Sequence, residues 1–271
     1  MLGAMAVVGS LYWLACLGIV LYERQLTFQP NAHAVTPEAS GLTGVKAGTL
    51  RSRDGATLVT WRVPPQPGQP TILYFHGNGD TLAYRARRVA AYQAAGYGVF
   101  MMAYRGYSGS TGAPSEAAIV GDALLAYDTL RGEGVAPRDI VLYGESLGTS
   151  VATQVAVIRP AAALILEAPF TSMMDAWRQF VPFLPVGLLL QDRFDTASII
   201  GNVDMPLLVI HGGRDRMVGF GLGQRLYAAA RAPKRFVGFP EAGHTTLYAN
   251  GAMAAVRTFI ADVRSGRVER P

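Results

Sequence analysis

The sequence predicts an α/β fold in which a mainly parallel sheet is flanked by helices. Segments of strand and helix character alternate from residue 71 to the end of the chain, as they do when crossover helices join parallel strands. The chain has 271 residues, half of them hydrophobic, so it can bury a large core. No long sequence period repeats, which argues against a solenoid or a propeller.

The composition excludes several other classes of protein. The net charge is +5, but the basic residues are scattered and no basic stripe alternates with aromatic residues. A nucleic-acid partner is therefore not expected. Cys16 is the single cysteine of the sequence, so no intrachain disulfide can form.

An uninterrupted apolar run extends from residue 2 to residue 22. As a helix it would be about 31 Å long, close to the thickness of a bilayer core. A cleaved signal peptide normally has a positive charge before the run, and a buried core helix normally has a polar face; this segment has neither. The sequence therefore predicts a single-pass N-terminal transmembrane anchor over residues 1–22. The anchor would place the protein in a membrane, in contact with its lipids and with undetermined orientation.

The remainder is predicted to be a juxtamembrane connector over residues 23–48, rich in Pro and Gly, and a single α/β domain over residues 49–271. Asp54-Gly55 lies between two strand-like segments and predicts a hairpin. Strands are predicted over residues 47–52, 57–63, 71–75, 98–103, 140–143, 163–167, 207–211 and 235–238. Helices are predicted over residues 81–95, 115–132, 149–158, 220–230 and 251–263.

A serine lies between two glycines where a predicted strand becomes a predicted helix. Residues 144–148, Gly-Glu-Ser-Leu-Gly, match G-x-S-x-G. Gly144 and Gly148 would let the chain double back without clashes, and the turn would expose the Ser146 hydroxyl at the carboxyl end of the sheet. The motif is common by chance, but its position between strand and helix makes Ser146 the candidate nucleophile.

A catalytic serine needs a base and an acid that orients the base. On this strand–turn–helix arrangement they follow in the order serine, acid, histidine. His244, in the loop after the last predicted strand, is the predicted base, whereas His211 ends a strand and is predicted to be a structural neighbour. Asp215 closely follows the strand over residues 207–211 and is the predicted acid. The acidic residues judged less suitable are Glu167, Asp192, Asp195 and Asp204.

Attack on a carbonyl also requires N–H donors for the developing oxyanion. The residue after the nucleophile, Leu147, is predicted to supply one backbone N–H. The loop after the strand over residues 71–75 reads His-Gly-Asn-Gly, and the Asn78 N–H is predicted to supply the other. This loop lacks the Lys-Ser/Thr of a nucleotide-binding loop.

Seven segments together resemble a known family. They are YFHGNG (74–79), YRGYSGSTGAPSE (104–116), LYGESLGTSVA (142–152), EAPFTS (167–172), RFDT (193–196), LLVIHGGRDRMV (207–218) and EAGH (241–244). The chain resembles α/β-hydrolase-fold serine hydrolases of the membrane-tethered group that includes protein depalmitoylase-like enzymes. The resemblance implies hydrolysis of acyl esters or thioesters without a metal or an organic cofactor. Gly219, where relatives usually have Pro, and Thr245-Thr246 depart from the family pattern.

A segment rich in Met, Phe, Leu and Pro over residues 171–202 is predicted to form a small cap over the site. Its apolar face either packs on the domain or forms an acyl-chain groove. The predicted function is a membrane-anchored serine hydrolase that acts on small or lipid-like acyl substrates through an acyl-enzyme. A peptidase or amidase with the same three residues and a non-catalytic binding protein are the alternatives; the oligomeric state is left open.

Overall fold

An eight-stranded sheet forms the centre of the molecule in the computed structural model, which describes residues 2–268. Met1 and residues 269–271, at the outer ends of the predicted anchor and α/β domain, lie outside the described residues. The strands are β1 (Lys46–Arg51), β2 (Thr57–Val63), β3 (Thr71–Phe75), β4 (Gly98–Met102), β5 (Ile140–Glu145), β6 (Ala163–Glu167), β7 (Leu207–Gly212) and β8 (Lys234–Phe239).

The sheet has the order β1-β2-β4-β3-β5-β6-β7-β8, and β3 to β8 run parallel. β2 pairs antiparallel with both β1 and β4, and the hairpin predicted at Asp54-Gly55 forms with Arg51 opposite Thr57. Strands β3 to β7 are buried along their whole length. Because helices cover both faces, these strands are continuous apolar runs rather than alternating ones. The predicted α/β fold is confirmed.

The helices are α1 (Leu2–Thr27), α2 (Ala86–Ala94), α3 (Glu116–Gly132), α4 (Leu147–Ile158), α5 (Met173–Arg178), α6 (Val186–Leu189), α7 (Thr196–Ile199), α8 (Phe220–Ala229) and α9 (Ala252–Arg264). The predicted helix over residues 81–95 begins as a 3₁₀ turn, Leu82–Arg85, and continues as α2. The other predicted strands and helices of the sheet region agree with the structure to within two residues at each end.

The carboxyl ends of the parallel strands meet along one edge of the sheet. His76 follows β3, Ser146 follows β5, Asp215 comes shortly after β7, and His244 lies in the loop after β8. Ligands of open α/β sheets bind in the crevice outside this edge. The topology therefore brings the predicted site residues to one place.

The N-terminal helix departs from the sequence prediction. Across residues 2–268, no helix combines the length and the apolar character that crossing a bilayer demands. The predicted single-pass anchor and the membrane localisation that it implied are therefore wrong, and the predicted contact of this helix with membrane lipids is not supported. α1 continues to Thr27 and includes the charged residues Glu23 and Arg24, and its C-terminal half packs on the α/β domain.

One face of α1 is buried, although the sequence shows no polar stripe on the other. Cys16, Ile19, Glu23 and Thr27 are buried and recur at intervals of three or four residues, which places them on the same side of the helix. Many of the solvent-facing positions are apolar too, including Leu14, so the periodicity is hidden in the sequence.

Glu23 joins this buried face to the segment between β6 and β7. The Asp192 backbone N–H donates to Glu23 Oε1 at 3.4 Å, and Arg24 pairs with the Asp192 carboxylate at 3.0 Å. Glu23 Oε2 has no hydrogen-bond partner among the described atoms. Burial and then the nearby negative charge of Asp192 raise the pKa of the Glu23 carboxyl above 4.5.

Glu23→Gln should therefore stabilise the protein at neutral pH. Folding raises the pKa of the Glu23 carboxyl, so burial of its charge costs no stability below about pH 4.5, where the group is protonated in both states. The cost grows as the pH rises toward and through the folded-state pKa. Thermal denaturation should show a gain of a few degrees above neutral pH, because about 1 kcal/mol shifts a domain of this size by roughly 2–4 °C. The gain should vanish in acid. The exposed Glu38→Gln is the matched control, and equal behaviour of the two variants would contradict the assignment.

Candidate active site

Ser146 sits in the sharp turn between β5 and α4. Its backbone has φ 50° and ψ −114°, a conformation that side chains rarely adopt. A Cβ at Gly148 would overlap the carbonyl oxygen of Phe75, and one at Gly144 would overlap the backbone of Gly148 and Thr149. The two glycines therefore permit the close passage of three backbone segments that the turn requires.

Ser146, His244 and Asp215 form one hydrogen-bonded chain. His244 Nε2 lies 3.0 Å from Ser146 Oγ, and His244 Nδ1 lies 2.7 Å from Asp215 Oδ2. The Ser146 hydroxyl therefore faces an imidazole whose other nitrogen is held by a carboxylate. This geometry can activate a hydroxyl by removal of its proton.

The Asp215 carboxylate is held from several directions. Its Oδ1 accepts the backbone N–H groups of Met217 and Val218, at 2.9 and 2.8 Å, and His211 Nε2 lies 3.4 Å from its Oδ2. Burial alone would raise the pKa of Asp215, but the N–H groups of His211 and His244 hold it below its ordinary value. Asp215 is therefore charged at neutral pH.

The contact between Asp215 and His244 shifts the pKa of His244 in the opposite direction, upward. Burial of the ring lowers its pKa, but the hydrogen bond to Asp215 and the Asp215 charge outweigh burial and raise the pKa above 6.5. His244 is thus a stronger base than an isolated histidine. The predicted structural neighbour His211 is fully buried and its Nε2–H donates to Val218 O at 2.9 Å.

The first residue of the loop after β3 is held by two hydrogen bonds. His76 Nδ1 donates to Gly77 O at 2.7 Å, and His76 Nε2 accepts the Tyr104 backbone N–H at 3.1 Å. Burial and the charge of Arg85 lower the pKa of His76 to about 3, so its ring is neutral. His76 shapes the loop that carries Asn78.

Asn78 and Leu147 both border the same cavity as Ser146 and His244. Their positions are compatible with the predicted oxyanion donors, and the donor role stays a prediction. The Asn78 side chain is held in place, because its Oδ1 accepts from Tyr107 Oη at 2.6 Å and its Nδ2 donates to Thr27 O at 2.6 Å.

A cavity of about 370 Å³ opens beside the Ser146 hydroxyl. Its walls are mainly apolar and come from the segment between β6 and β7, the loop after Asp215 and the end of α1. The lining residues are Leu26, Thr27, Gln29, Asn78, Ser146, Leu147, Phe170, Met173, Ala176, Trp177, Phe180, Val181, Met217, Val218 and His244. The volume and lining suit an apolar small-molecule group.

A larger depression, of about 530 Å³, lies over α3 and away from this serine. Five of its charged residues form ion pairs: Arg105 with Asp54 and Asp122, and Arg159 with Asp128. In residues 2–268, no cluster of three or more His, Cys, Asp or Glu side chains is arranged to hold a metal ion.

A buried cluster of charges beneath Ser146 was not predicted. Arg85 Nε lies 3.1 Å from Glu145 Oε2, and Arg88 binds Glu167 with contacts of 2.5 and 2.8 Å. Burial would raise the pKa of Glu145, but the charges of Arg85 and Arg88 keep it below its ordinary value. These charges are therefore paired under the turn that holds the serine.

The acidic residues judged less suitable lie outside the hydrogen-bonded chain. The Glu167 carboxylate forms an ion pair with Arg88, and the Asp192 carboxylate forms one with Arg24. Asp195 caps α7 by accepting the Ser198 N–H at 3.3 Å. The structure thus brings Asp215, and none of these residues, within hydrogen-bond distance of His244 Nδ1.

Comparison with known proteins decides the family. The alpha/beta hydrolase domain-containing protein WAV2 of Arabidopsis thaliana is 31% identical over 261 residues, covering 86% of this chain and 84% of that protein. The chain belongs to the α/β-hydrolase family. A protein of Mycobacterium tuberculosis, Rv2307c, is 36% identical over 259 residues, 92% of each chain.

Further comparisons match proteins and a family model whose names state a hydrolytic activity. The lysophosphatidylserine lipase ABHD12 of Danio rerio is 31% identical over 216 residues, 72% of this chain and 56% of the lipase. A family model described as serine aminopeptidase, S33, matches residues 66–194. The Pyrococcus furiosus esterase Pf2001 shares the fold, with a TM-score of 0.71 at 17% identity over 88% of this chain and 97% of the esterase. The chain is an enzyme, a serine hydrolase of the esterase-like type.

Gly148→Ala should disrupt the turn around Ser146. The added methyl would collide with the Phe75 carbonyl, which is fixed in the sheet, and should cost about 3 kcal/mol, the upper end for overpacking. Gly121→Ala, in an open position within α3, should instead stabilise by about 0.5–1 kcal/mol. Urea denaturation of both variants measures the difference, and a harmless Gly148→Ala would contradict the close approach.

Asp215→Asn should lower the pKa of His244. The substitution removes the negative charge that raises this pKa and leaves the burial that lowers it. NMR titration of the histidine ring signals measures the shift. Asp195→Asn, in the segment between β6 and β7, is the control and should leave the His244 titration unchanged; a response equal to that of Asp215→Asn would contradict the assignment.

Proposed function

We propose that this α/β hydrolase cleaves carboxylic ester bonds of single-chain acyl substrates through a covalent acyl-enzyme on Ser146. One observation carries the proposal: the Ser146–His244–Asp215 chain ends at the mouth of an apolar cavity of about 370 Å³. A reactive hydroxyl beside an apolar cavity suits a substrate with an acyl chain and a more polar leaving group.

In the first step, Ser146 Oγ attacks the carbonyl carbon of the ester while its proton passes to His244 Nε2. Asp215 remains charged and stabilises the imidazolium that forms. The negative charge moves to the carbonyl oxygen. The backbone N–H groups of Leu147 and Asn78 are the proposed donors to that oxygen.

In the second step, the carbon–oxygen bond to the leaving alcohol breaks and His244 returns its proton to that alcohol. The acyl group is then esterified to Ser146 Oγ. Water, deprotonated by His244, attacks the acyl carbonyl, releases the carboxylic acid and restores the Ser146 hydroxyl. A thioester can follow the same steps with a thiol as leaving group.

The lining of the cavity favours a lipid-like acyl group. Trp177, Phe180, Val181 and Met173 supply apolar side chains from the predicted cap over residues 171–202. The similarity to a lysophosphatidylserine lipase points the same way, so lysophospholipids are the proposed substrate class. Such a substrate has one acyl chain for the cavity and a polar headgroup that remains outside.

Aminopeptidase activity is the second candidate, since the matching family model carries that description. An aminopeptidase binds a positively charged amino terminus near its serine. The described cavity lining contains no acidic side chain that would pair with such a charge. This argument favours esters over peptides. A non-catalytic binding role would not require the hydrogen-bonded chain at Ser146.

Ser146→Ala should abolish the proposed activity without loss of fold. Removing the nucleophile should lower turnover of lysophospholipids and p-nitrophenyl esters by about 10⁴-fold or more. Labelling by a fluorophosphonate probe should disappear as well, since the probe reacts with an activated serine. Ser198→Ala, in α7 and outside the cavity lining, is the control and should retain both. Normal turnover by a folded Ser146→Ala protein would refute the proposal.

A further inference from the structure

The C-terminal end of α1 forms part of the wall of the cavity beside Ser146. Leu26, Thr27 and Gln29 border this cavity together with Ser146 and His244. These residues lie more than 100 positions before the serine and outside the segment between β6 and β7. The N-terminal helix therefore contributes directly to the space that a substrate would occupy.

The end of α1 and the residues directly after it form hydrogen bonds with the loop after β3. Asn78 Nδ2 donates to Thr27 O at 2.6 Å, and Asn78 Oδ1 accepts the Gln29 N–H at 3.0 Å. The Gln29 N–H also lies 3.1 Å from Tyr107 Oη. The Asn78 side chain thus fixes the position of this part of the wall, and the backbone N–H of the same residue is a proposed oxyanion donor.

The same end of α1 also contacts the segment between β6 and β7, which supplies Trp177 to the cavity wall. Phe28 is buried and packs edge-to-face on Phe194, with 6.1 Å between ring centroids. One helical turn earlier, Arg24 pairs with Asp192 at 3.0 Å. Two sets of contacts therefore set the spacing between α1 and the segment that supplies Trp177.

We infer that Leu26 is a specificity-determining residue that sets the length of acyl chain the cavity accepts. Its side chain is half-exposed at the cavity wall and is not among the hydrophobic side chains that form the core or pack against it, so its size can be changed. A larger side chain would fill space that the far methylenes of a long acyl chain need. A smaller one would extend that space. This inference rests on the proposed ester hydrolysis.

Leu26→Trp and Leu26→Ala test the inference in opposite directions. Measured with p-nitrophenyl acetate, butyrate, octanoate and palmitate, Leu26→Trp should lower kcat/KM for the two long esters by about tenfold or more, the size of one-methylene discrimination in an apolar pocket. Hydrolysis of the acetate should fall least, because its acyl group has no far methylenes that the larger side chain would displace. Leu26→Ala should shift the preference toward palmitate.

Leu21→Trp is the matched control, because Leu21 is an exposed α1 residue that does not border the cavity. It should leave the chain-length profile unchanged. The inference is overturned, while the proposed function stands, if Leu26→Trp lowers kcat/KM equally for all four esters. It is likewise overturned if Leu21→Trp changes the chain-length profile in the same way as Leu26→Trp. If the unmodified protein hydrolyses none of the esters, both are overturned. The melting temperature of each variant distinguishes misfolding from a change in chain-length preference. If Leu26→Trp does not fold, the expected shift of Leu26→Ala toward palmitate still tests the inference.

Discussion

Two arginines and two glutamates buried beneath Ser146 hold together the loops that form the site. Glu145, directly before the serine, accepts from Arg85 and from the Gly77 N–H, and Arg85 also binds the Gly79 and Thr81 carbonyls, so the nucleophile turn and the loop after β3 are joined. Arg88 pairs with Glu167, and its guanidinium carbon lies 4.3 Å from the ring centroid of Tyr248, in the connection between β8 and α9 that also carries His244. Removing one partner of such a buried pair typically costs about 3–5 kcal/mol, so these pairs are expected to hold the three loops in their positions around Ser146.

The N-terminal helix extends this assembly beyond the sheet. Its buried face, Cys16 to Thr27, packs on the hydrolase region, and its end is joined to the same loop after β3 through Asn78. The cavity is therefore bounded on one side by α1 and on the other by the segment between β6 and β7, with Arg24 and Asp192 joining the two. A group that occupies this cavity contacts the end of α1 and the segment between β6 and β7 as well as Ser146.

The parallel sheet and the arrangement of Ser146, Asp215 and His244 could be predicted because each depends on local features. Buried strands are apolar runs, the serine turn has a short motif, and parallel strands place their following loops at one edge. The charge cluster could not be predicted in this way, since Arg85 lies 60 residues before its partner Glu145 and strand order alone decides that they meet. α1 was misassigned because apolar residues on its exposed side conceal the face that packs on the protein.

Formation of an acyl-enzyme on Ser146 is the central claim, and trapping that intermediate tests it most directly. The protein would be mixed with p-nitrophenyl octanoate, quenched in acid within the first turnovers, digested and analysed by mass spectrometry. We expect an octanoyl group on the peptide that contains Ser146, and fragmentation of that peptide should place the group on the Ser146 side chain. Octanoyl on a different residue, or hydrolysis of the ester with no acylated Ser146 at any quench time, would contradict the account.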